Sequence, residues 1–335
     1  MPVSLVTGAT GFIGRRLVDR LLREGEEVTC LVRPSSRIEG LEREGVRLAQ
    51  GSLSDGASLR RAVDGVDTVY HLAGKTHAAT LGDYLKVNEA GAERVCSAAA
   101  DCDSPPTVLA VSSLAVVGPS PVGEPHTEST PCRPISNYGK SKLAGEVAVR
   151  RFAGKAPLSI VRPPVVFGPG DRDGLVMLKA IRRLGMHFVP QRQGLPLSVV
   201  YVDDLIEALI AVAQRGERVN SSDTTDPQGL YFAADPEVTS YAEVGRLAAE
   251  AMGRKAWVWR RRKYPLILPA MIGDLWARAT GKAPLMGMDK LREASASGWV
   301  CDPRKIVQEL GWNPSEPIGV QYRHTVEWYQ AEGWL

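Results

Sequence analysis

The chain has 335 residues, of which 44% are apolar, and a formal net charge of +3. This length can bury the core of one large domain or two modest ones, and the nearly balanced charge gives no reason to expect a nucleic-acid partner. Five cysteines are scattered without a CxxC pair or histidines at metal-ligand spacing, which predicts reduced thiols in a cytoplasmic setting and no metal site.

The first half of the chain alternates between apolar runs and helix-like stretches. The runs typical of strands are, in chain order, "VSLVTG", "VTCLVR", "VRLAQG", "DTVYHLAG", "TVLAVSS" and "LSIVRPPVVFG". The stretches typical of helices read "RRLVDRLLREG", "DGASLRRAVDG", "YLKVNEAGAERVCSAAA" and "SKLAGEVAVRRFAG". Strands this apolar leave no face for water, so the pattern predicts an α/β fold with a doubly wound parallel sheet of the Rossmann type.

The chain enters its first strand at once, and no apolar run approaches the ~20 residues that span a bilayer. We therefore expect neither a signal peptide nor a transmembrane segment.

Three glycines stand three residues apart in "TGATGFIG" (7–14), between the first strand and the first helix. Glycine at such a turn lets the backbone approach a pyrophosphate, and the helix N-terminus behind it favours negative charge. The stretch therefore predicts a dinucleotide site at Gly8, Gly11 and Gly14.

The GxxGxxG spacing resembles the extended branch of the short-chain dehydrogenase/reductase superfamily, which is epimerase/dehydratase-like. Seven further stretches continue the resemblance in order along most of the chain: "HLAG" (71–74), "VNEAG" (87–91), "VSSLAVVG" (111–118), "YGKSK" (138–142), "RPPVVFGPGD" (162–171), "YVDDL" (201–205) and "DPRKIVQELGWNP" (302–314). The resemblance implies an NAD(P)-dependent oxidoreductase with a smaller, discontinuous C-terminal lobe for the substrate.

Tyr138 and Lys142 are four residues apart, which places both on one face of a helix. An ammonium near a phenol favours the phenolate, so we expect Lys142 to lower the pKa of Tyr138 and let it act as general acid or base. The resemblance implies further that Ser113 holds the substrate oxygen, that Lys142 also contacts the nicotinamide ribose, and that Asn88 shapes the site.

The resemblance also implies which residues contact the cofactor. They are Thr7, Gly8, Thr10, Gly11, Phe12, Ile13, Gly14, Arg33, Arg37, Ser52, Leu53, Leu72, Ala73, Gly74, Tyr138, Lys142, Pro163 and Val165. The family usually has Asp where this chain has Ser52, so an adenine contact there depends on a hydroxyl, and Asp55 is expected to cap a helix.

The second strand predicts the kind of nicotinamide cofactor. In NAD enzymes an acidic residue ends this strand and binds the ribose hydroxyls, whereas here Arg33 occupies that position and Ser35, Ser36 and Arg37 follow. A 2′-phosphate favours arginine and hydroxyl donors. We expect NADP to be preferred, with NAD as the alternative.

The resemblance divides the chain into two discontinuous units. We expect 1–171 with 199–226 to form the cofactor-binding domain and 172–198 with 228–335 to form the substrate lobe. All seven tryptophans lie at or after position 257. Aromatic surface suits an apolar or planar substrate, although for any single tryptophan a place in the core of the lobe is favoured.

Three functions fit the sequence. The first is a dehydrogenase or reductase of an apolar secondary alcohol or ketone, like the 3β-hydroxysteroid dehydrogenase and dihydroflavonol reductase relatives. The second is a nucleotide-sugar 4-epimerase that retains NAD, and the third is a binding protein without catalysis. A 4,6-dehydratase is disfavoured, because Leu114 and Ala115 follow Ser113 and neither can move a proton.

The stretch "KAWVWRRRKYPLILPAMIGDLWARATGK" (255–282) joins a cationic cluster, Arg260 to Lys263, to an apolar segment. It could lie on an anionic membrane surface, but a solvated loop followed by a core helix is the favoured interpretation. The resemblance also implies a homodimer packed through the YxxxK helix.

Overall fold

The computed structural model describes residues 1–190, 195–260, 264–281, 284 and 287–335, and for 265 and 278 it describes the backbone alone. Its strands are β1 (Val3–Thr7), β2 (Glu27–Val32), β3 (Val46–Gln50), β4 (Thr68–His71), β5 (Thr107–Val111), β6 (Leu158–Arg162), β7 (Val165–Phe167), β8 (Met186–Val189), β9 (Pro196–Leu197), β10 (Val199–Tyr201), β11 (Leu230–Phe232), β12 (Thr239–Ser240) and β13 (Trp257–Arg260).

The helices of the described residues alternate with these strands through most of the first half. They are α1 (Phe12–Arg23), α2 (Gly56–Val63), α3 (Leu81–Asn88), α4 (Ala90–Ala100), α5 (Asn137–Arg150), α6 (Arg172–Leu184), α7 (Val202–Arg215), α8 (Tyr241–Ala251), α9 (Tyr264–Thr280), α10 (Met288–Ala294), α11 (Arg304–Leu310) and α12 (Ile318–Ala331), with a 3₁₀ helix at Leu114–Val116.

Seven strands form one parallel sheet in the order β11-β6-β5-β4-β1-β2-β3. One face is covered by α1, α7 and α11, and the other by α2 and α4, each through its own cluster of buried apolar side chains. The prediction of a doubly wound Rossmann-type sheet is confirmed. β1 is an interior strand between β4 and β2, so the glycine turn after Thr7 emerges between the ends of those two strands.

Two predicted elements are each split in two. The single helix expected over 84–100 is interrupted at Glu89, where α5 packs so close that a Cβ on Gly145 would lie 2.3 Å from the Asn88 carbonyl oxygen. The single strand expected over 158–168 ends at Arg162, because Pro163 and Pro164 have no amide hydrogen to continue the ladder. β7 pairs instead with β10, away from the main sheet.

The smaller lobe is built mainly on α6, α8 and α12, which share a core with Phe167 and Tyr201. Phe167 and Tyr322 stack there with ring centroids 4.4 Å apart. β11 follows position 228, where the sequence analysis began the second part of this lobe, yet it is the edge strand of the main sheet. The rest of that division stays a prediction.

Helix α9 is not the core helix that we expected, and that interpretation is wrong. Its buried side chains are small, Ala270 and Ala277, whereas large apolar side chains such as Leu268 and Leu275 are 67% and 68% exposed. In the part of the chain that the structure describes, no helix combines the length and the apolarity needed to cross a bilayer.

A buried ion pair ties α5 to the sheet. Arg162 at the end of β6 donates to both carboxylate oxygens of Glu146 on α5, from Nε at 2.9 Å and from Nη2 at 2.6 Å. Both side chains are almost fully buried, and the Ser112 hydroxyl also donates to Glu146. Although burial favours the neutral acid, Arg162 holds the pKa of Glu146 below its ordinary value.

Removing one partner of this pair leaves a charge or polar group buried without compensation. We expect Glu146→Gln to lower the free energy of unfolding by about 3–5 kcal/mol, measured by urea denaturation. The matched double variant Glu146→Leu/Arg162→Met removes both charges and is expected to recover much of that loss. A double variant no more stable than Glu146→Gln would contradict this account.

Candidate active site

Three predicted catalytic side chains meet at the carboxyl ends of the central strands. Ser113 follows β5 and begins the 3₁₀ helix, where its side chain accepts a hydrogen bond from the Ala115 amide. Tyr138 lies in the first turn of α5, whose N-cap residue Ser136 accepts from the Gly139 amide at 3.0 Å. The Ser113 hydroxyl lies near the Tyr138 phenol, and both line the same cavity. The structure therefore brings together a hydroxyl and a phenol far apart in sequence.

The Tyr138 phenol is held in its neutral form. Burial raises its pKa to about 12, and the nearby Ser113 hydroxyl opposes that shift only in part. The pKa of Tyr138 is thus raised where the sequence analysis expected it to be lowered, because desolvation of the phenolate dominates. The Tyr84 ring packs beside the Tyr138 ring, with centroids 6.2 Å apart.

Lys142 lies one turn further along α5 and is also poorly solvated. Its ammonium donates to the Val111 carbonyl at 2.6 Å, at the end of β5. Burial lowers its pKa to about 8, and the Glu146 carboxylate opposes this shift. A lysine with such a pKa loses its charge within the pH range in which enzymes are commonly assayed.

Asn88 is buried, and both polar atoms of its side chain make hydrogen bonds that hold the surrounding structure. Its side-chain oxygen accepts from the Lys75 amide at 2.7 Å, and its side-chain nitrogen donates to the Lys75 carbonyl and to the Ser141 hydroxyl. It therefore fixes the loop after β4 to α5. This is a positioning role, because Ser141 directly precedes Lys142 on α5.

The glycine turn fits the pyrophosphate that the sequence analysis placed there. Gly8 has φ +78°, and a Cβ there would lie 2.8 Å from the Ala73 amide nitrogen. A Cβ on Gly14 would lie 2.2 Å from the Gly8 carbonyl oxygen, so α1 packs directly onto the turn. The N-cap residue Gly11 offers no side-chain oxygen to the first turn of α1, which also contains no acidic residue. Free amides at a helix N-terminus are the groups that bind phosphate.

Thr7 and the "HLAG" turn make the neighbouring wall. The Thr7 hydroxyl lies 2.8 Å from His71 Nδ1 and accepts from the Ala73 amide at 3.2 Å. Burial lowers the pKa of His71 to about 3, which keeps its imidazole neutral. This network holds the "HLAG" turn against the glycine turn.

A cavity of about 470 Å³ runs from the glycine turn to the catalytic groups. Of the predicted cofactor residues, it is lined by Phe12, Ile13, Leu72, Gly74, Tyr138, Lys142, Pro163 and Val165. Ser113 lines its far end. The space and its residues fit a nicotinamide ring beside Tyr138.

The predicted adenosine end lies on the other side of the glycine turn. The Arg33 side chain is exposed, and its amide donates to the Ser36 hydroxyl at 3.1 Å. The Arg15 guanidinium holds this loop by donating to the carbonyls of Arg37 and Glu39, and also reaches the Thr10 carbonyl.

On the adjoining wall the Ser52 hydroxyl lies 2.9 Å from that of Ser54, and the Arg94 guanidinium donates to the Leu53 carbonyl. Asp55 caps α2, as predicted, by accepting from the Ala57 and Ser58 amides.

A second cavity, of about 640 Å³, opens from Ser113 and Tyr138 toward the smaller lobe. Its described lining is mostly apolar: Leu114, Ala115, Pro164, Val165, Phe188, Pro190, Leu195, Leu197, Leu266, Leu291, Ala294 and Trp299. We call it the substrate cleft. Trp299 is the one tryptophan among its described lining residues; Trp312 is instead buried against α7, beneath the sheet.

Sequence reasoning missed the polar residues of the substrate cleft. His77 and Lys290 approach each other at 2.6 Å, and Glu293 lies deeper, with one buried carboxylate oxygen that has no hydrogen-bond partner. Burial raises the pKa of Glu293. None of these residues belongs to a motif with fixed spacing, and α10 reaches the cleft only through the fold of the smaller lobe.

These features define a nicotinamide-dinucleotide enzyme of the Rossmann class, and comparison with known proteins agrees. The model of the NAD dependent epimerase/dehydratase family matches residues 4–225. The chain therefore belongs to this family of NAD(P)-dependent oxidoreductases and epimerases.

Two relatives resemble the chain along nearly all of its length. One is a ceramide reductase of Caulobacter vibrioides, 31% identical, covering 99% of this chain and 96% of the relative. The other is a putative dihydroflavonol 4-reductase of Synechocystis, 28% identical, covering 98% and 95%. Among solved structures, a UDP-glucose 4-epimerase of Thermotoga maritima has the same fold, with a TM-score of 0.78, 20% identity and 98% of this chain and 99% of that one covered.

The lowered pKa of Lys142 makes its charge a cost to folding. Below pH 8 the amine is charged in both the folded and the unfolded chain, so the folded protein bears the whole free-energy cost of the buried charge. Between pH 8 and 10.5 the unfolded chain binds more protons than the folded one, so the free energy of unfolding rises with pH. We expect Lys142→Met to raise the free energy of unfolding at pH 7 by up to about 3 kcal/mol, less about 1 kcal/mol for the lost bond to Val111.

The gain should shrink as the pH rises from 8 to 10.5. Denaturation of both proteins at several pH values measures it, and Lys140→Met, an exposed change on the same helix, is the control. A gain that does not depend on pH would contradict the assignment of this cost to the Lys142 charge.

Proposed function

We propose that the protein is an NAD(P)-dependent reductase of a large apolar ketone, or equally the dehydrogenase of the corresponding secondary alcohol. The observation that carries the proposal is the apolar substrate cleft, which leads directly to the Ser113 hydroxyl and the Tyr138 phenol. The ceramide reductase relative supports a lipid-like substrate.

The proposed mechanism gives each catalytic residue one task. The Ser113 hydroxyl donates a hydrogen bond to the substrate oxygen and fixes its position. Tyr138 donates its phenolic proton to that oxygen as the carbonyl carbon is reduced; in the reverse direction it accepts the proton. Lys142, when charged, stabilises the phenolate that remains. A bound reduced nicotinamide supplies the hydride.

Glu293 supplies polar selectivity in the proposed cleft. Its unpartnered carboxylate oxygen is buried, and such an oxygen is costly unless a donor reaches it. A hydroxyl or amide N–H of the substrate, at a distance from the ketone, would provide that donor. A purely hydrocarbon substrate would leave the oxygen unsatisfied.

We also infer that NADP is preferred over NAD. The argument is the exposed Arg33 at the end of β2, close to the hydroxyls of Ser35 and Ser36, where an acidic residue would bind a ribose diol. The homodimer and the cytoplasmic location expected from the sequence stay predictions.

A nucleotide-sugar 4-epimerase is the second candidate, supported by the fold of the Thermotoga maritima enzyme. The lining of the substrate cleft argues against it. Lysine and arginine make the strongest hydrogen bonds to a nucleoside diphosphate, and among the described lining residues of the cleft Lys290 is the one lysine or arginine.

Replacement of Tyr138 tests the proposed chemistry. We expect Tyr138→Phe to lower kcat/KM for a long-chain ketone by about 10³-fold, because the proton donor is lost, while NADPH affinity changes no more than a few fold. Absorbance at 340 nm measures turnover and fluorescence titration measures binding; Tyr264→Phe is the matched control.

Two results would contradict the proposal. Near-normal turnover of Tyr138→Phe would remove Tyr138 from the chemistry. A wild-type enzyme that converts a nucleotide sugar without net consumption of NADPH would favour the epimerase.

Replacement of Arg33 tests the cofactor preference. We expect Arg33→Asp to weaken NADPH binding by about 10–100-fold, since a charge-assisted bond is replaced by repulsion, and to leave NADH binding unchanged or improved. Calorimetry with both nucleotides measures the ratio, with Arg61→Asp as an exposed control on α2. Unchanged NADPH affinity would show that Arg33 does not contact the phosphate.

A further inference from the structure

Helix α9 presents its large apolar side chains to solvent. Tyr264, Leu268, Met271, Ile272, Leu275 and Trp276 are all exposed, and their spacing of three, four and eight residues places them on one side of the helix. We call this set the outer face of α9. The opposite side carries Ala270 and Ala277, which are buried. The helix therefore turns its least apolar side toward the protein.

The concentration of exposed apolar side chains is local. Fifteen large apolar side chains are exposed among the described residues, and eight of them lie between 257 and 276. The other seven are scattered singly along the chain, which is ordinary for a protein surface. A contiguous apolar patch of this kind marks an interaction surface.

The charge beside the outer face shows what kind of surface it fits. Arg254, Lys255 and Arg260 are exposed in the segment that precedes α9 in sequence, and the Arg254 guanidinium donates to the Arg182 carbonyl. In sequence, positions 254–282 contain eight lysines and arginines and a single acidic residue, Asp274. Asp274 is not on the outer face, since it accepts a hydrogen bond from the Met288 amide at 3.2 Å and is partly buried. An apolar stripe flanked by cations complements an anionic lipid surface.

Two exposed tryptophans strengthen this match. Trp276 lies on the outer face and is 48% exposed, and Trp257 on β13 is 65% exposed and stacks on Trp259 with centroids 6.3 Å apart. Indole rings, apolar with one polar N–H, concentrate at the boundary between lipid headgroups and acyl chains.

The outer face continues into the substrate cleft. Leu266, on the inner side of α9, lines the cleft. A neighbouring cavity of about 680 Å³ is lined from α9 by Leu268, Met271, Ile272, Asp274 and Leu275. His77 and Lys290 line both cavities. The two cavities are therefore adjacent, and the contact between His77 and Lys290 lies where they meet.

We propose that the outer face of α9 docks on an anionic lipid bilayer, lying in the interface without spanning it. The flanking cations attract the surface, and the apolar stripe enters the headgroup boundary. The further step, that the cleft takes its ketone from this surface, rests on the proposed function. This assignment revises the preference against membrane contact that the sequence alone favoured.

Flotation with lipid vesicles tests the docking surface directly. We expect the whole protein to float with vesicles of phosphatidylcholine containing 30% phosphatidylglycerol, to float at least several-fold less with phosphatidylcholine alone, and to dissociate partly as salt is raised. Leu275→Glu/Trp276→Glu should abolish flotation. The matched control Val122→Glu/Val238→Glu places the same charges on two isolated exposed valines and should float as the unchanged protein does.

Other outcomes overturn the proposal. Equal flotation of the two double variants, or no flotation of the unchanged protein, would show that the outer face does not bind lipid. A dimer by light scattering that Leu275→Glu/Trp276→Glu converts to a monomer, without vesicle binding, would assign the face to a second copy of the chain.

Reduction of a short, water-soluble ketone provides the independent check. It should be equal in both double variants, which shows that the fold and the chemistry are intact. Loss of flotation with retained reduction is therefore a failure of docking alone, whereas flotation without reduction of any ketone is a failure of the proposed function alone.

Discussion

The site depends on one buried ion pair, between Glu146 and Arg162. Tyr138, Lys142 and Glu146 follow one another at intervals of four on α5, so the residue that binds the sheet and the two that face the cofactor cavity share one side of the helix. Arg162 donates two hydrogen bonds to the Glu146 carboxylate. Ser112, the residue before Ser113 in sequence, donates a third to the same carboxylate. The pair thus fixes the separation between the strand end that carries Ser113 and the helix that carries Tyr138.

Burial determines the electrostatics around that pair. It raises the pKa of Tyr138 and lowers that of Lys142, so both groups are shifted toward their neutral forms. The Tyr138 phenol therefore keeps its proton in this environment. The ionised pair Glu146 and Arg162 stays charged in the same region because each charge has its partner within hydrogen-bond distance.

Helix α9 belongs both to the substrate cleft and to the exposed apolar surface. Its inner side contributes Leu266 to the substrate cleft, and its outer side leaves five large aliphatic or indole side chains in solvent within nine residues, 268–276. One helix therefore contributes to both the apolar surface and the apolar cleft. This arrangement is consistent with a substrate whose poor solubility in water makes its route to the enzyme as important as the chemistry.

The sequence by itself determined the features that depend on local pattern. Strand and helix periodicity predicted the parallel sheet, the glycine spacing predicted the turn at Gly8 and Gly14, and the interval of four placed Tyr138 and Lys142 on one side of a helix. The tertiary structure alone decided what depends on distant partners. The raised pKa of Tyr138 follows from burial, the place of β11 at the sheet edge from pairing with β6, and the presence of Glu293 in the cleft from the packing of the smaller lobe. The apolar residues of α9 predicted a core helix from sequence, because composition shows how apolar a helix is. Only packing shows which side of the helix the protein covers.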